Sequence, residues 1–350
     1  MWVPTEDRRT TLRSSFGFYY DQNHWNFTDI YLNETLLALR RISLNANSQG
    51  SNPFWTPANT SIGIAQMRAF LAQNFPAYPN FNLLPFQQET ILGVQPNYKI
   101  PYSANFAAGV THDFGTRVSA RADYVHTRTY DGSIGPDTNW MQNADGTFSR
   151  RDPRYGNITL VGNGGAIWYN GVESRLEVRL SATARAGLSY TLSKTTSNTS
   201  TGLSTGGTTN PFNLNEDLGP DDNDRRHNFV VDGSYLIPKI DVQLAGITTY
   251  RSALPFSVTT SFQLDSDPFS DRPEARNSRR GSTEKDTDLR ISKILRFGGK
   301  RTGTVFWEMF NVFNVDNWLR YQGSLQSAQF GLPLTEGPKR QQQLGLRFDF

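Results

Sequence analysis

From Ser103 onward the chain alternates apolar and polar residues with a period of two, the signature of strands that show a different face to each side. Residues 103–114 place Phe106, Ala108 and Val110 opposite Asn105, Thr111 and Asp113. Residues 117–128 place Val118, Ala120, Ala122 and Tyr124 opposite Arg117, Ser119, Arg121 and Asp123. The clearest pair follows: Val172, Leu176, Val178 and Leu180 oppose Glu173, Arg175, Glu177 and Arg179, and Ala186, Leu188, Tyr190 and Leu192 oppose Arg185, Ser189 and Thr191. The same split recurs at 225–237, 240–251, 286–297 and 303–313, and near the amino terminus, where Leu12, Phe16, Phe18 and Tyr20 alternate with Arg13, Ser15, Gly17 and Tyr19. With a final segment at 339–350, the pattern predicts an all-β chain of ten strands: 10–20, 103–114, 117–128, 168–181, 184–195, 225–237, 240–251, 286–297, 303–313 and 339–350.

The connections alternate as regularly as the strands. Gly115-Thr116, Pro238-Lys239 and Gly298-Gly299 make tight turns, and a short turn joins the two strands between 168 and 195. Between these hairpins lie long polar loops, near 128–166, 195–224, 253–285 and 314–337. Residues 21–98 form a longer segment rich in Asn, Pro and aromatics, with helical spacing over 33–42 and 61–75. Short turns on one side and long loops on the other describe a transmembrane antiparallel β-barrel, and strands of this length suit a tilted crossing of about 9–11 residues.

The two faces alone also permit a soluble β-rich binding module, and the loop asymmetry together with the pattern of the last strand tips the balance toward the barrel. Glu173, Arg175, Glu177 and Arg179 cannot face lipid, where each charge costs about 2–4 kcal/mol at the midplane. They suit a wet lumen in which charges pair across strands. A soluble module would bury the opposite, apolar face instead.

Composition narrows the classes further. Mean hydropathy is −0.54, and no apolar run nears the ~20 residues of a spanning helix. Alternating strands of a barrel average out to polar in the same way. The 350 residues hold 35 basic and 32 acidic side chains, a formal charge of +3, with the two signs interspersed. This gives no nucleic-acid patch. The chain has no cysteine. Residues 1–9 hold no apolar signal region, so an exported protein of this kind is expected to begin upstream.

Candidate chemistry is sparse. His24, His112, His126 and His227 are scattered without metal-ligand spacing. Asp221-Asp222-Asn223-Asp224 and Asp265, Asp267 and Asp271 offer oxygen ligands for a hard cation but lack the EF-hand pattern, so a solvated acidic loop is the stronger reading. A barrel protease of the omptin kind would need an Asp–His couple at the outer rim, for which His126 and Asp131 are the nearest candidates. No nucleophile elbow, phosphate loop or dinucleotide fingerprint stands in a usable context. The sequence therefore assigns no catalytic residue, no metal ligand and no cofactor.

The last strand carries a further pattern. Phe350, Phe348, Leu346 and Leu344 share one face, and Asp349, Arg347, Gly345 and Gln343 the other. The spacing Gln343-x-Gly345-x-x-Phe348-x-Phe350 resembles the signal by which bacterial outer-membrane barrels are recognised and closed, which implies the barrel assembly machinery as a partner. Other stretches, in family order, resemble the barrel of TonB-dependent outer-membrane receptors of the Oar-like group. They are residues 12–21, Tyr169-Asn-Gly-Val-Glu-Ser-Arg-Leu-Glu-Val-Arg179, residues 188–194, Gly219-Pro-Asp-Asp-Asn-Asp-Arg-Arg-His-Asn-Phe229, Tyr250-Arg-Ser-Ala-Leu-Pro-Phe256, Asp271-Arg-Pro273 and Phe310-Asn-Val-Phe-Asn314. Family barrels have about 22 strands, so the resemblance implies the carboxy-terminal half of such a barrel. The plug, the TonB-contacting region and the amino-terminal domain would belong to its parent. It further implies outer-membrane lipid around the barrel, uptake of a large nutrient such as a siderophore, oligosaccharide or peptide, and coupling to the TonB complex.

Overall fold

The computed structural model describes residues 2–4, 6–21, 89–153, 155–199, 209–262, 268–269, 272–298 and 301–350. The expected helical stretches at 33–42 and 61–75, His24, and Asp265, Asp267 and Asp271 lie outside the described residues.

Ten strands pair in chain order: β1 (Thr10–Tyr20), β2 (Tyr102–Phe114), β3 (Val118–Ile134), β4 (Tyr155–Arg179), β5 (Ala184–Ser197), β6 (His227–Ile237), β7 (Val242–Arg251), β8 (Glu284–Arg296), β9 (Thr302–Phe310) and β10 (Gln341–Asp349). Every neighbouring pair on this path is antiparallel. The β2–β3, β4–β5, β6–β7 and β8–β9 connections are short and lie at one end, the turn end. There Gly115 (φ 79°) and Gly298 (φ 87°) take the left-handed backbone such turns need, and Asp241 (φ 48°) does the same after β6. The long connections lie at the loop end.

Register carries each strand's two faces across the whole sheet. Leu12, Val110, Ala122, Ser174, Tyr190, Phe229, Tyr250 and Lys285 stand opposite one another in one row. Arg13, Gly109, Asp123, Glu173, Thr191, Asn228, Arg251 and Glu284 form the next row, pointing the other way. The apolar face is open. Phe16, Val110, Val231, Leu244, Ile291 and Trp307 are among its exposed side chains. Burying such a side chain is worth about 1.5–3 kcal/mol, so a water-soluble fold would have covered this face. The buried apolar residues, Ile134, Val161, Ala253, Val258 and Phe269, lie instead at the loop end, where Phe269 meets the rings of Trp140, Phe148 and Phe212. Among the described residues there is no core for a soluble β module.

Among the described residues the sheet does not close: β10 pairs with β9 alone, and the far side of β1 is met by a single bridge, Trp2 with Leu12.

Several features depart from the expected pattern. β4 starts at Tyr155, well before residue 168, and its extension pairs in parallel with Glu89–Val94. β3 runs on to Ile134 through a bulge at Asp131 (φ 53°). The loop between β3 and β4 holds a small hairpin, Trp140–Gln142 with Phe148–Arg150. β9 ends at Phe310 because Asn311 (φ 48°) turns the chain.

Candidate functional site

The polar face is tied together across pairs of strands that do not touch. Arg13 on β1 donates from Nε and Nη2 to the Asp123 carboxylate on β3, at 2.8 and 2.6 Å. β2 lies between them, and there the chain has Gly109: a Cβ at that position would sit 1.9 Å from Asp123 Oδ1. Arg121 also donates to Asp123. The same arrangement recurs three strands on. Arg175 on β4 reaches Asp232 on β6, Nη1 to Oδ1 at 2.5 Å, over Gly187 on β5. A Cβ on Gly187 would lie 2.3 Å from Arg175 Nη2. Each glycine is a saddle that lets charges meet over an intervening strand, where an alanine would separate them.

The ladder Glu173, Arg175, Glu177 and Arg179 does lie on the polar face, but its pairing differs from simple cross-strand neighbours. Arg175 binds Glu177 on its own strand (3.3 Å) and Asp232 over the saddle. Directly opposite Arg175 is Arg121, opposite Glu173 is Asp123, and opposite Arg179 is Arg185, all of like charge. Glu173 and Arg179 make no ion pair among the described residues. The diagonal and skipped-strand contacts relieve the like-charge rows.

β10 joins this face through Gln343 and Gly345. Gln343 donates to Glu308, which also accepts from Arg290 Nη1 at 2.9 Å. The ring of Phe306 lies over Gly345, where a Cβ would come within 2.2 Å of it, and the Arg290 guanidinium stacks on that ring at 4.1 Å. Phe348 and Phe350 are exposed, and the Phe348 ring, which neighbours Phe297 (6.5 Å), lies on the apolar face. The structure thus splits the terminal pattern, with the polar residue and the glycine inside and the aromatics outside.

Toward the loop end the polar face deepens into a depression of about 290 Å³. Tyr169, Thr191, Ser193, Asn223, Arg225, Asn228 and Arg251 line it. Glu284 holds both arginines, accepting from Arg225 Nη2 at 2.7 Å and Arg251 Nη1 at 2.6 Å. The Oδ1 atoms of Asn228 and Asp286 are buried without a hydrogen-bond partner. Buried oxygens of this kind are acceptors ready for a donor group or an ordered water.

Above the depression sits the acidic stretch 221–224, and its first and last carboxylates are not solvated. Asp221 is 1% exposed and Asp224 is fully buried. Asp224 accepts from Arg280 and from the Thr195 amide (2.6 Å) and forms an ion pair with Arg226 Nε at 3.2 Å. Asp222 accepts from Arg276 (3.1 Å) and Asn277 (2.7 Å), and Asp217 accepts from Arg272 (2.5 Å). Arg276, itself 6% exposed, donates to Ser197 and to the Asp217 carbonyl. Arginines fill the places a cation would take, and no group of three or more His, Cys, Asp or Glu has metal-binding geometry among the described residues. Within the same loop the exposed Glu274 carboxyl is held below its ordinary range by hydrogen bonds from Arg279 and Ser278. Sequence reasoning missed this network because its partners are some fifty or more residues apart.

The three histidines among the described residues serve the sheet. His112 Nδ1 meets Thr10 Oγ1 at 2.9 Å, and His227 Nδ1 meets Tyr190 Oη at 2.8 Å. His126 Nδ1 meets Asn170 Oδ1 at 2.9 Å on the apolar face, while Asp131 sits in the β3 bulge and gives its carbonyl to Asn163. The acid–base couple a barrel protease needs is not assembled from His126 and Asp131.

A family model described as an outer membrane beta barrel domain matches residues 1–276. Among solved structures, the outer membrane transporter YddB from Escherichia coli superposes with a TM-score of 0.53 at 14% identity, covering 75% of this chain and 34% of that one. The FrpB iron transporter from Neisseria meningitidis (F5-1 variant) gives 0.48 at 14% identity over 75% and 34%, and the copper transporter OprC 0.41 at 12% identity over 79% and 35%. The chain therefore spans about a third of the length of the structures it resembles. No curated protein matches it.

Proposed function

This chain belongs to the outer membrane beta barrel domain family, and from that membership we propose that it forms part of the barrel wall of a TonB-dependent transporter. In this reading the apolar face meets lipid and the polar face lines the lumen. The tight turns face the periplasm, and the loop end faces outward. The observation that carries the reading is the pairing of an uncovered apolar face with a charged inner face on which two arginine–acid pairs meet over glycine saddles. Such a wall suits a lumen occupied by water, a plug and a passing solute. The depression beneath the loops, with the unsatisfied buried oxygen of Asn228 and two arginines, suits a polar solute such as a siderophore, an oligosaccharide or a peptide.

The direct test is solute uptake in a deletion strain complemented with the full gene, with and without a protonophore. Protonophore-sensitive accumulation of one solute class is expected. Uptake of the same rate under both conditions would mark a passive pore, and proteolysis of added peptides would mark a barrel enzyme.

Gln343, Gly345, Phe348 and Phe350 serve in this reading as the assembly signal read by the barrel assembly machinery. An aromatic ring at the membrane boundary anchors the closing strand. Deleting Phe350 should lower the heat-modifiable, protease-protected fraction far more than Arg347→Gln, whose side chain is on the lumen side. Equal yields would show that the terminal spacing has no such role.

A further inference from the structure

The apolar face of the ten strands carries no carboxylate. Its charged or histidine side chains are Arg128, Lys194, Lys285 and Lys293, with His112, His126 and His227. On the inner face, by contrast, Arg13, Arg121, Arg175, Arg251 and Arg290 each meet an acid. Arg128, Lys194 and Lys285 make no ion pair among the described residues.

Their height is shared. Arg128 on β3, Lys194 on β5 and Lys285 on β8 each lie nine to eleven residues along the strand from the tight turn that begins or ends it, and His227 on β6 does the same. At ~3.4 Å per residue and a tilt of ~40°, that is a common level about 25 Å above the turns. The apolar band of an outer-membrane barrel is about that tall, so the row stands at its outward boundary. Aromatic rings flank it. The Arg128 guanidinium lies 4.6 Å from the Tyr130 ring and 5.8 Å from Trp168, and Lys285 Nζ lies 6.0 Å from the Tyr250 ring. Rings of this kind hold a cation at the interface without neutralising it.

A level row of unmatched cations, on a face with no acid and at the edge of the hydrocarbon, complements an anionic headgroup whose acyl chains lie against the strands below. We infer that Arg128, Lys194 and Lys285 bind the phosphate groups of phosphorylated lipids in the outward leaflet. Lys293, on the same face near the tight turns, lies outside the row. The inference rests on the membrane-spanning reading proposed above.

To test it, the protein is produced in the outer membrane of a Gram-negative host and extracted in mild detergent. It is then titrated with diphosphoryl lipid A and with the same lipid stripped of phosphate, bound lipid being counted by native mass spectrometry. The expected preference for the phosphorylated lipid is at least tenfold. It should vanish in the R128Q/K194Q/K285Q variant and survive in K293Q. If the triple variant does not fold, each single substitution should lower the preference about threefold. A triple variant, or all three single variants, with unchanged preference would overturn the assignment, as would a wild-type protein with none. Displacement of lipid by millimolar inorganic phosphate alone would mark a free-anion site and overturn it too. Failure of the wild-type protein to enter the membrane would overturn the membrane-spanning reading itself, and this inference with it.

Discussion

Val230 and Val231 are the same residue on the same strand, one position apart, yet they belong to different environments. Val231 faces outward at 43% exposure, in a row with Leu188 and Thr248 and without a covering layer. Val230 faces inward between Ser189 and Thr249, in the row that holds Arg121, Arg175 and Asp286. Nothing local in the sequence distinguishes them. The difference comes from the parity of a ten-strand register, in which a slip of one residue would exchange the two faces everywhere. The outer face is mostly apolar and has no covering layer among the described residues, with only a few polar contacts such as His112–Thr10, His126–Asn170 and His227–Tyr190. The inner face is specific, its ties depending on particular arginines and acids and, for Arg13–Asp123 and Arg175–Asp232, on the glycine between them. The solvent on each side sets that division. Lipid offers no hydrogen bonds and asks only for apolar area, whereas a wet lumen allows charges but leaves them to be matched.

The largest expected effect comes from placing one charge on each side. Val231→Lys, near the middle of its strand, should destabilise the folded protein by about 2–4 kcal/mol, the cost of a basic group at the midplane. Val230→Lys should cost little, since the ammonium group enters the lumen near the unsatisfied Asp286 oxygen. Urea unfolding in micelles reads the difference, and equal losses would break the assignment of faces.

Glycine gives a second, smaller contrast. Gly187→Ala puts a methyl group into the Arg175–Asp232 contact and should cost about 1–2 kcal/mol, in line with other overpacked sites. Gly233→Ala on the outer face meets nothing closer than the Arg185 carbonyl at 3.5 Å. It should stay within about 0.5 kcal/mol of wild type. The same unfolding series compares the two.

The smallest effect concerns pH at the loop end. Glu274 titrates below its ordinary range because Arg279 and Ser278 donate to it. The clasp is therefore present at neutral pH, and is lost as pH falls below the unfolded carboxylate value and through the lowered folded one. Proteolytic nicking within 272–281 should rise over that acidic window in wild type. In Glu274→Gln the rate should be raised at neutral pH and flat through the same window.

These contrasts also mark what the sequence made legible. Alternation exposed the strands because lipid imposes a strict period of two along each crossing. It failed over 155–167, where Gly156, Gly162, Gly164 and Gly165 lie beyond the apolar band and no longer need an apolar side. Close backbone approach replaces it there: Gly132 and Gly165 face each other so closely that a Cβ on Gly132 would lie 2.8 Å from the Gly165 carbonyl oxygen. The acidic stretch 221–224 reads as solvated in sequence because Arg276 and Arg280, which neutralise it, lie on the next long loop. The saddles at Gly109 and Gly187 were equally hidden. Their meaning depends on residues one strand to either side, and register alone brings those together.

The central claim is that the apolar face meets lipid, and the absence of cysteine makes it directly measurable. Val230→Cys and Val231→Cys each give a single site for a spin label in the membrane-inserted protein. Collision rates with dissolved oxygen, which concentrates in hydrocarbon, and with a water-soluble nickel chelate then report the two surroundings. The account predicts a label at 231 open to oxygen and closed to nickel, with a label at 230 more open to nickel. A label at 231 shielded from both reagents would place that face against protein, and would contradict the account.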